Sequence, residues 1–208
     1  YPTERKVTLV TALWREDFLE PELYMQHYRL RALAQAGEKP KALAAIRKFW
    51  GRIVLSGSRT IWECGVHQLG KWAYGGAGSI CHGFSNTPID FFQRTILGVR
   101  PTAPGFSRCA IDPSPIGLTH AKGTVPTPHG TLDVAWSVTG KTLTLELRIP
   151  HGVQADLQDG QFFGPGLHSV EISLPDSDLC VEPQNEPPAL IRGGGLEMTD
   201  SLGAIVHA

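Results

Sequence analysis

Long apolar runs and an excess of one charge are both missing from this sequence of 208 residues. No uninterrupted apolar run approaches the roughly 20 residues that a membrane-spanning helix needs. The 19 Lys and Arg residues nearly balance the 20 Asp and Glu residues, so the formal net charge is -1. Such a chain has no basic excess that would attract a nucleic acid backbone or anionic lipid. We therefore expect neither nucleic acid nor a membrane as a partner.

Cysteine is scarce, and its spacing excludes the common metal-binding patterns. The four cysteines are Cys64, Cys81, Cys109 and Cys180. They form no C-x-x-C motif and no Cys/His cluster at the spacing of zinc ligands, so we expect no metal site. In a chain of this length, scattered cysteines are more typical of buried free thiols than of a disulfide framework. They do not indicate a cellular compartment.

The N-terminus has neither an initiating Met nor the apolar core of a signal peptide. We therefore expect the chain to be a processed product or a piece of a longer protein. Its composition, 41% hydrophobic and 19% charged, is typical of a globular protein with one large domain or two small ones.

Helical periodicity dominates the first half of the chain, residues 1–98. Apolar residues at helical spacing predict an antiparallel helix pair, with Gly37 ending the first helix. A later helix is expected to begin with Thr87 as its N-cap and Pro88 at its first position. Residues 3–14 fit either a helix or a strand, and a helix is favoured because Val and Trp recur there at helical spacing.

Alternating apolar residues characterise the second half. Residues 99–104, rich in Pro, are expected to form a linker. Beyond them, residues 132–138 and 143–149 alternate between apolar and polar, and the turn between them predicts an antiparallel hairpin. Further short strands predict an antiparallel β-sandwich over residues 105–208, with an irregular tail after residue 175.

A long irregular stretch, residues 55–86, contains the candidate site. Loops of this length inside compact domains are usually functional. Trp62 and Glu63 place an indole beside a carboxylate, a recurring way to hold a sugar ring and to take a proton from water. The stretch also contains His67, Trp72, Tyr74, a glycine-rich run at residues 75–78 and His82. Structural roles are the alternatives: a hydrogen-bonded histidine near a helix start and packed aromatics.

Seven short motifs follow one another in the chain: PELYM at 21–25, ALAQAG at 32–37, FWG at 49–51, TIWE at 60–63, SICHGFS at 79–85, LGVRP at 97–101 and AKGTVPTPHG at 121–130. In this order they resemble the C-terminal part of a bacterial α-L-rhamnosidase, a six-hairpin glycosidase of glycoside hydrolase family 78. The resemblance extends from about Pro21 to about Ile172. The first twenty residues fit it loosely, and the tail after Pro175 departs from it.

This resemblance implies an α + β multidomain protein: the closing helices of an (α/α)6 barrel, followed by the antiparallel β-sandwich. It also implies an inverting hydrolysis that releases terminal L-rhamnose from glycosides or polysaccharides and needs no cofactor. Two carboxyl groups, about 6.5 to 9.5 Å apart, perform such a reaction. Glu63 matches the general base of the family, His82 matches a pocket histidine that contacts the sugar, and Trp62 would wall the pocket.

The general acid of the family lies in an acidic motif farther upstream, and nothing in this sequence matches it. We therefore expect the chain alone to be incomplete and inactive, with the N-terminal part of the same enzyme as its partner. Two alternatives stay open. The chain could be a non-catalytic carbohydrate-binding or structural β-sandwich module, or part of a six-hairpin glycosidase that acts on another sugar.

Overall fold

The structure, a computed structural model, describes residues 3–13, 15, 21–63, 79–175, 196–200 and 205–207. The chain divides into two compact units, Tyr1–Phe91 and Phe92–Ala208. Within the described ranges, no helix combines the length and the apolar character that crossing a bilayer requires.

The first unit is helical, as its periodicity predicted. Its helices are α1 (Thr3–Ala12), α2 (Leu23–Gln35), α3 (Lys39–Leu55) and α4 (Pro88–Phe91), with a 3-10 turn at Gly83–Ser85 before α4. The helix favoured for residues 3–14 is confirmed by α1. Helix α4 begins at Pro88 as expected, but the Thr87 hydroxyl donates to the carbonyl of Leu23, 3.4 Å away. Thr87 therefore ties the start of α4 to the start of α2.

Helices α2 and α3 form the predicted antiparallel hairpin, and the end of α2 has a clear local cause. Gly37 has a φ of +88°, a conformation that a side chain would disfavour. Its N–H donates to Ala34 O at 3.2 Å, and the N–H of Glu38 donates to Leu33 O at 2.9 Å. These two bonds form a Schellman motif, which satisfies the last carbonyls of the helix and turns the chain back.

The two helices pack through one buried stripe each. On α2 the stripe contains Leu23, Leu30 and Leu33, and on α3 it contains Ile46 and Trp50, all at most 1% exposed. Burying each such aliphatic side chain contributes roughly 1.5 to 3 kcal/mol. The hairpin is therefore stabilised mainly by this apolar seam.

The second unit begins with a π-helical turn, Phe92–Ile96, and continues as two sheets. The described strands are β1 (Val99–Pro101), β2 (Arg108–Ile111), β3 (Leu118–Thr127), β4 (Gly130–Thr139), β5 (Thr142–Ile149), β6 (Gln154–Leu157), β7 (Phe162–Phe163), β8 (Gly166–Ser173), β9 (Leu196–Asp200) and β10 (Ile205–His207). The larger sheet has the order β10-β9-β3-β4-β5-β8, and the smaller has the order β1-β2-β6-β7.

Strands β4 and β5 confirm the hairpin that the alternation predicted. Trp136 pairs with Leu145 across the two strands, and the inward side chains of both strands are buried. Trp136 is 2% exposed, and its indole N–H donates to Ile96 O at 2.9 Å. The indole thus belongs to the core of the second unit, where its N–H has the partner that burial demands.

The sheets differ from the sequence prediction in two respects. Strand β2 pairs in parallel with β6, so the smaller sheet is mixed rather than antiparallel. The second unit also begins at Phe92, and the linker expected at residues 99–104 contains strand β1. Val99 is fully buried there and pairs with Ile111. Pro101 is compatible with this strand because β1 lies at the edge of its sheet, where a missing N–H is tolerated.

The tail after residue 175 was expected to be irregular, but part of it forms strands. Strand β9 pairs with β3, placing Met198 opposite Ala121, and β10 pairs with β9. Strand β3 is distant from β9 in sequence, so the local Pro- and Gly-rich composition did not indicate this pairing. Residues 176–195, 201–204 and 208 lie outside the described residues.

The two described cysteines should differ sharply in reactivity. Both are free thiols, with Cys81 exposed and Cys109 buried. Burial, with a smaller contribution from the charge of Asp156, raises the pKa of Cys109 to about 11. Because the thiolate is the reactive form, Cys109 stays protonated and inert at pH 8.

We expect iodoacetamide at pH 8 to label Cys81 in the native chain and Cys109 only after unfolding, as read by peptide mass mapping. Equal native labelling of both would contradict this. Cys64 and Cys180 lie outside the described residues.

Candidate functional site

The candidate site lies in the first unit, where residues 60–63 run beside residues 79–82. The N–H of Glu63 donates to Ser79 O at 2.9 Å, and the N–H of His82 donates to Ile61 O at 2.8 Å. The Thr60 hydroxyl adds a third bond, to the carbonyl of Ile80. This pairing brings Glu63 and His82, distant in sequence, onto two adjoining segments.

The Glu63 side chain is half-buried, and one of its oxygens is held by the backbone. Oε2 accepts a hydrogen bond from the N–H of Ser79 at 3.0 Å. The Ser85 hydroxyl also donates to the backbone carbonyl of Glu63 at 3.4 Å. A hydrogen bond from a backbone N–H restricts rotation of the carboxylate, because its donor cannot move independently of the fold.

Trp62 is oriented by a serine four residues earlier in the sequence. Its indole N–H donates to the Ser58 hydroxyl oxygen at 2.8 Å. That hydroxyl in turn donates to the carbonyl of Thr60 at 2.9 Å. The half-buried indole is therefore fixed through its polar edge, which leaves its flat faces for packing or for a ligand.

The His82 ring contacts the ring of Phe84, which belongs to the 3-10 turn that follows His82. The rings of His82 and Phe84 have centroids 3.8 Å apart and planes inclined by 54°. The turn itself is held to α3, because the Trp50 indole N–H donates to Ser85 O at 2.8 Å. Both Trp50 and Ser85 are buried, so this hydrogen bond is protected from water.

The structure thus places Trp62 and Glu63 on one segment and His82 on the segment that pairs with it. His67, Trp72, Tyr74 and the glycine-rich run at residues 75–78 lie outside the described residues. Within the described ranges, no three or more His, Cys, Asp or Glu side chains come together in a way that could hold a metal ion.

Sequence reasoning did not identify the groups that position these three side chains. Ser79 acts through its backbone N–H, which has no signature in a sequence, and Ser58 gave no pattern of its own. Helical spacing alone places both Leu23 and Tyr24 among the apolar positions of helix α2. The structure separates them, since Leu23 is buried and Tyr24 is 42% exposed.

A concave region lies on the outward face of the larger sheet in the second unit. This hollow has a volume of about 590 Å³ and is lined from strands β3, β4, β5 and β8. Asp133, which lines it, accepts a hydrogen bond from the Thr124 hydroxyl at 2.9 Å and pairs with Arg148 at 3.2 Å. Lys122 and Glu146 also contribute to its walls, and no aromatic side chain other than the imidazole of His168 does so.

Part of the second unit matches a known family of domains. Residues 98–158 match the family model described as the bacterial alpha-L-rhamnosidase C-terminal domain. This segment contains the strands from β1 to β6. The resemblance of the chain to the C-terminal part of a bacterial α-L-rhamnosidase is thereby confirmed.

Individual relatives agree with the family model. An alpha-L-rhamnosidase of Alteromonas sp. (strain LOR) is 29% identical over 135 residues, which is 58% of this chain and 13% of that protein. A family 78 rhamnosidase structure from Bacillus sp. GL1 is 27% identical and covers 76% of this chain and 17% of its own, with a TM-score of 0.67. An α-L-rhamnosidase structure from Aspergillus terreus is 21% identical and covers 81% and 21%, with a TM-score of 0.68.

These relatives are glycoside hydrolases, and the chain is similar to a fragment of them. The Aspergillus structure, at 21% identity, shows likeness of fold alone. Because the chain spans only 13% of the length of the Alteromonas enzyme, most of such an enzyme has no counterpart in it.

Proposed function

We propose that this chain is the C-terminal part of an inverting α-L-rhamnosidase, which releases terminal L-rhamnose from glycosides or polysaccharides. The observation that carries the proposal is the pairing of residues 60–63 with residues 79–82, which holds Glu63 near His82 in a chain similar to rhamnosidases. In this proposal the helices of residues 1–98 belong to an (α/α)6 catalytic barrel.

Glu63 acts as the general base. In an inverting hydrolysis, water attacks the anomeric carbon from the face opposite the leaving group, and the base takes a proton from that water. As the new C–O bond forms, the glycosidic C–O bond breaks, and a general acid protonates the departing oxygen. The Ser79 N–H on Oε2 supports this role, because it holds the carboxylate while the other oxygen, Oε1, accepts the proton.

His82 and Trp62 bind the sugar. The His82 imidazole can exchange hydrogen bonds with ring hydroxyls, and its contact with Phe84 fixes the plane in which it does so. The Trp62 indole forms one wall of the pocket, and its hydrogen bond to Ser58 fixes the orientation of the ring. Positioning of this kind contributes to catalysis because it holds the substrate where water and base can act on it.

The general acid and the rest of the barrel come from the N-terminal part of the same enzyme. The distribution of exposed apolar side chains supports this. Among the described residues seven large non-aromatic hydrophobic side chains are exposed, and six of them lie in the first unit: Val7, Leu9, Met25, Leu55, Ile80 and Ile89. A unit that leaves so much apolar surface uncovered is typical of part of a larger domain.

An assay of the isolated chain beside the full-length protein tests this proposal. With 4-nitrophenyl α-L-rhamnoside as substrate, we expect turnover by the full-length protein only, because one carboxylate cannot perform both proton transfers. Each missing acid or base lowers a rate by about 10²- to 10⁴-fold. Robust turnover by the isolated chain would contradict the absence of the acid. Turnover of a different aryl glycoside by the full-length protein, without turnover of the rhamnoside, would identify another sugar as the substrate.

A second candidate function is carbohydrate binding by the β-sandwich, and the hollow on the larger sheet favours it. Its volume, about 590 Å³, lies within the range of small-molecule sites. Its lining offers polar groups of both charge signs, such as Asp133 and Arg148, that can hydrogen-bond sugar hydroxyls. Under this function the activity of the parent enzyme would survive the replacement of Glu63 by Gln.

A further inference from the structure

One face of α2 carries exposed aromatic rings at one end only. Tyr24, Tyr28, Arg31 and Gln35 lie at successive helical spacings along this face, and all four are exposed. The apolar character therefore stops after Tyr28. Leu30 and Leu33, by contrast, belong to the buried stripe that faces α3.

The aromatic end of this face adjoins the candidate sugar site. The rings of Tyr24 and Phe84 have centroids 5.1 Å apart and planes inclined by only 31°. Phe84 in turn contacts His82, so the rings form a continuous series from α2 to the pocket histidine. Tyr28 extends the series outward, because its ring meets Tyr24 edge to face at 6.4 Å.

The side chains in this series present substantial open surface. Tyr24 is 42% exposed, Tyr28 is 58% exposed and Phe84 is 39% exposed. Tyrosine suits a binding surface, because it offers a broad ring and a polar hydroxyl with few rotatable bonds. A side-chain hydrogen bond with Tyr28 raises the pKa of Tyr24.

A seam for another helix would have a different pattern. Helix packing uses apolar positions that recur along the whole contact, every three or four residues. Here Arg31 and Gln35 occupy the continuation of the face. The aromatic rings are confined to the end nearest His82, which favours a local ligand over a packed helix.

We propose that Tyr24 and Phe84, extended by Tyr28, form a stacking platform for the substrate ring next to the rhamnose. This inference rests on the proposed function, since it places the platform beside the sugar that His82 binds. The platform recognises a flat ring face, which either a second sugar or an aromatic leaving group can supply. Stacking of this kind contributes roughly a threefold to tenfold preference for a ring over a small group.

Variants of Tyr24 in the full-length enzyme test the platform. Three substrates are compared: 4-nitrophenyl α-L-rhamnoside, a disaccharide with terminal α-L-rhamnose, and methyl α-L-rhamnoside. We expect Tyr24→Ala to lower the ratio of kcat/KM for a ring-bearing substrate to kcat/KM for the methyl glycoside by roughly threefold to tenfold. Comparing each ratio with that of the parent enzyme removes the intrinsic reactivity of the leaving groups. Loss for the aryl substrate alone would identify an aromatic partner, and loss for the disaccharide would identify a sugar.

Two matched variants serve as controls. Tyr24→Phe keeps the ring, so we expect its ratios to stay within about twofold of the parent values. Gln35→Ala removes an exposed side chain at the far end of the same face and should change neither ratio. Unchanged ratios in Tyr24→Ala would overturn the platform. So would an equal loss on all three substrates together with a lower melting temperature, because that pattern indicates a packing role.

A binding measurement separates this inference from the proposed function. Saturation-transfer NMR on the full-length protein reports contact with the ring of 4-nitrophenol, which has no glycosidic bond to hydrolyse. We expect the ring signals to weaken in Tyr24→Ala. Ring contact that depends on Tyr24, in a protein that hydrolyses none of the three rhamnosides, would contradict the proposed function but support ring binding at Tyr24. Ring signals equal in the parent and in Tyr24→Ala would sink the platform alone.

Discussion

Replacing Glu63 with Gln in the full-length enzyme is expected to lower kcat by about 10²- to 10⁴-fold, the usual contribution of a general base. Gln has nearly the same shape as Glu, and its carbonyl oxygen can still accept the hydrogen bond from the N–H of Ser79. It cannot take a proton from water, however. Initial rates on an aryl rhamnoside measure the loss, and calorimetric titration with L-rhamnose should show binding within a few-fold of the parent.

Glu38 provides a matched control for this change. It is the N-cap residue of α3 in the same unit, its side chain is 39% exposed, and it pairs with Lys41 at 3.0 Å. Exposed pairs of this kind contribute at most about 0.5 kcal/mol, so Glu38→Gln should leave kcat unchanged. Full activity in Glu63→Gln would show that Glu63 is not the base and would favour the binding-module alternative. Loss of rhamnose binding together with activity would instead indicate a damaged pocket.

Replacing Gly98 with Ala is expected to destabilise the second unit by about 3 kcal/mol. Gly98 has a φ of +76°, which costs a residue with a side chain roughly 1 to 2 kcal/mol. A Cβ atom at this position would also overlap the backbone carbonyl of Asp112. That backbone cannot withdraw easily, because the N–H of Asp112 donates to Gly98 O at 3.1 Å. Overpacking of this kind adds roughly 1 to 3 kcal/mol. Urea unfolding, followed by far-UV circular dichroism, measures the change.

Gly140 separates the two causes of that loss. It lies in the turn between β4 and β5 with a φ of +60°, and a Cβ there would meet no atom within 4 Å. Gly140→Ala should therefore cost only the conformational part, roughly 1 to 2 kcal/mol. Equal losses in the two variants would show that the contact with Asp112 contributes nothing.

Features that depend on neighbouring residues were predicted well. The end of α2 follows from Gly37, since a left-handed backbone conformation suits glycine and permits the two closing hydrogen bonds. The hairpin of β4 and β5 follows from alternation, because successive side chains of a strand point to opposite faces. Trp136 follows the same rule, and its burial agrees with its register between Val134 and Val138.

Features that depend on distant partners were not predicted. Strand β9 pairs with β3 far away in sequence, and β2 pairs in parallel with β6. Such pairings are decided by which buried faces meet, and a local window of sequence does not contain that information. The strand at Val99–Pro101 was missed for a different reason, because its Pro-rich composition is also typical of a linker.

The sequence by itself determined the residue types available for sugar chemistry: a carboxylate and an indole at Trp62 and Glu63, and an imidazole at His82. It also determined the helical and alternating periodicities from which the two units could be predicted, because both are local properties of the chain. Only the tertiary structure decided that residues 60–63 lie beside residues 79–82, and that the N–H of Ser79 holds the Glu63 carboxylate. It also decided that Tyr24 points outward beside Phe84, since helical spacing alone does not say which stripe meets a neighbour. Backbone hydrogen bonds and packing between distant segments have no signature in a single sequence, and they are what turn these residues into a candidate site.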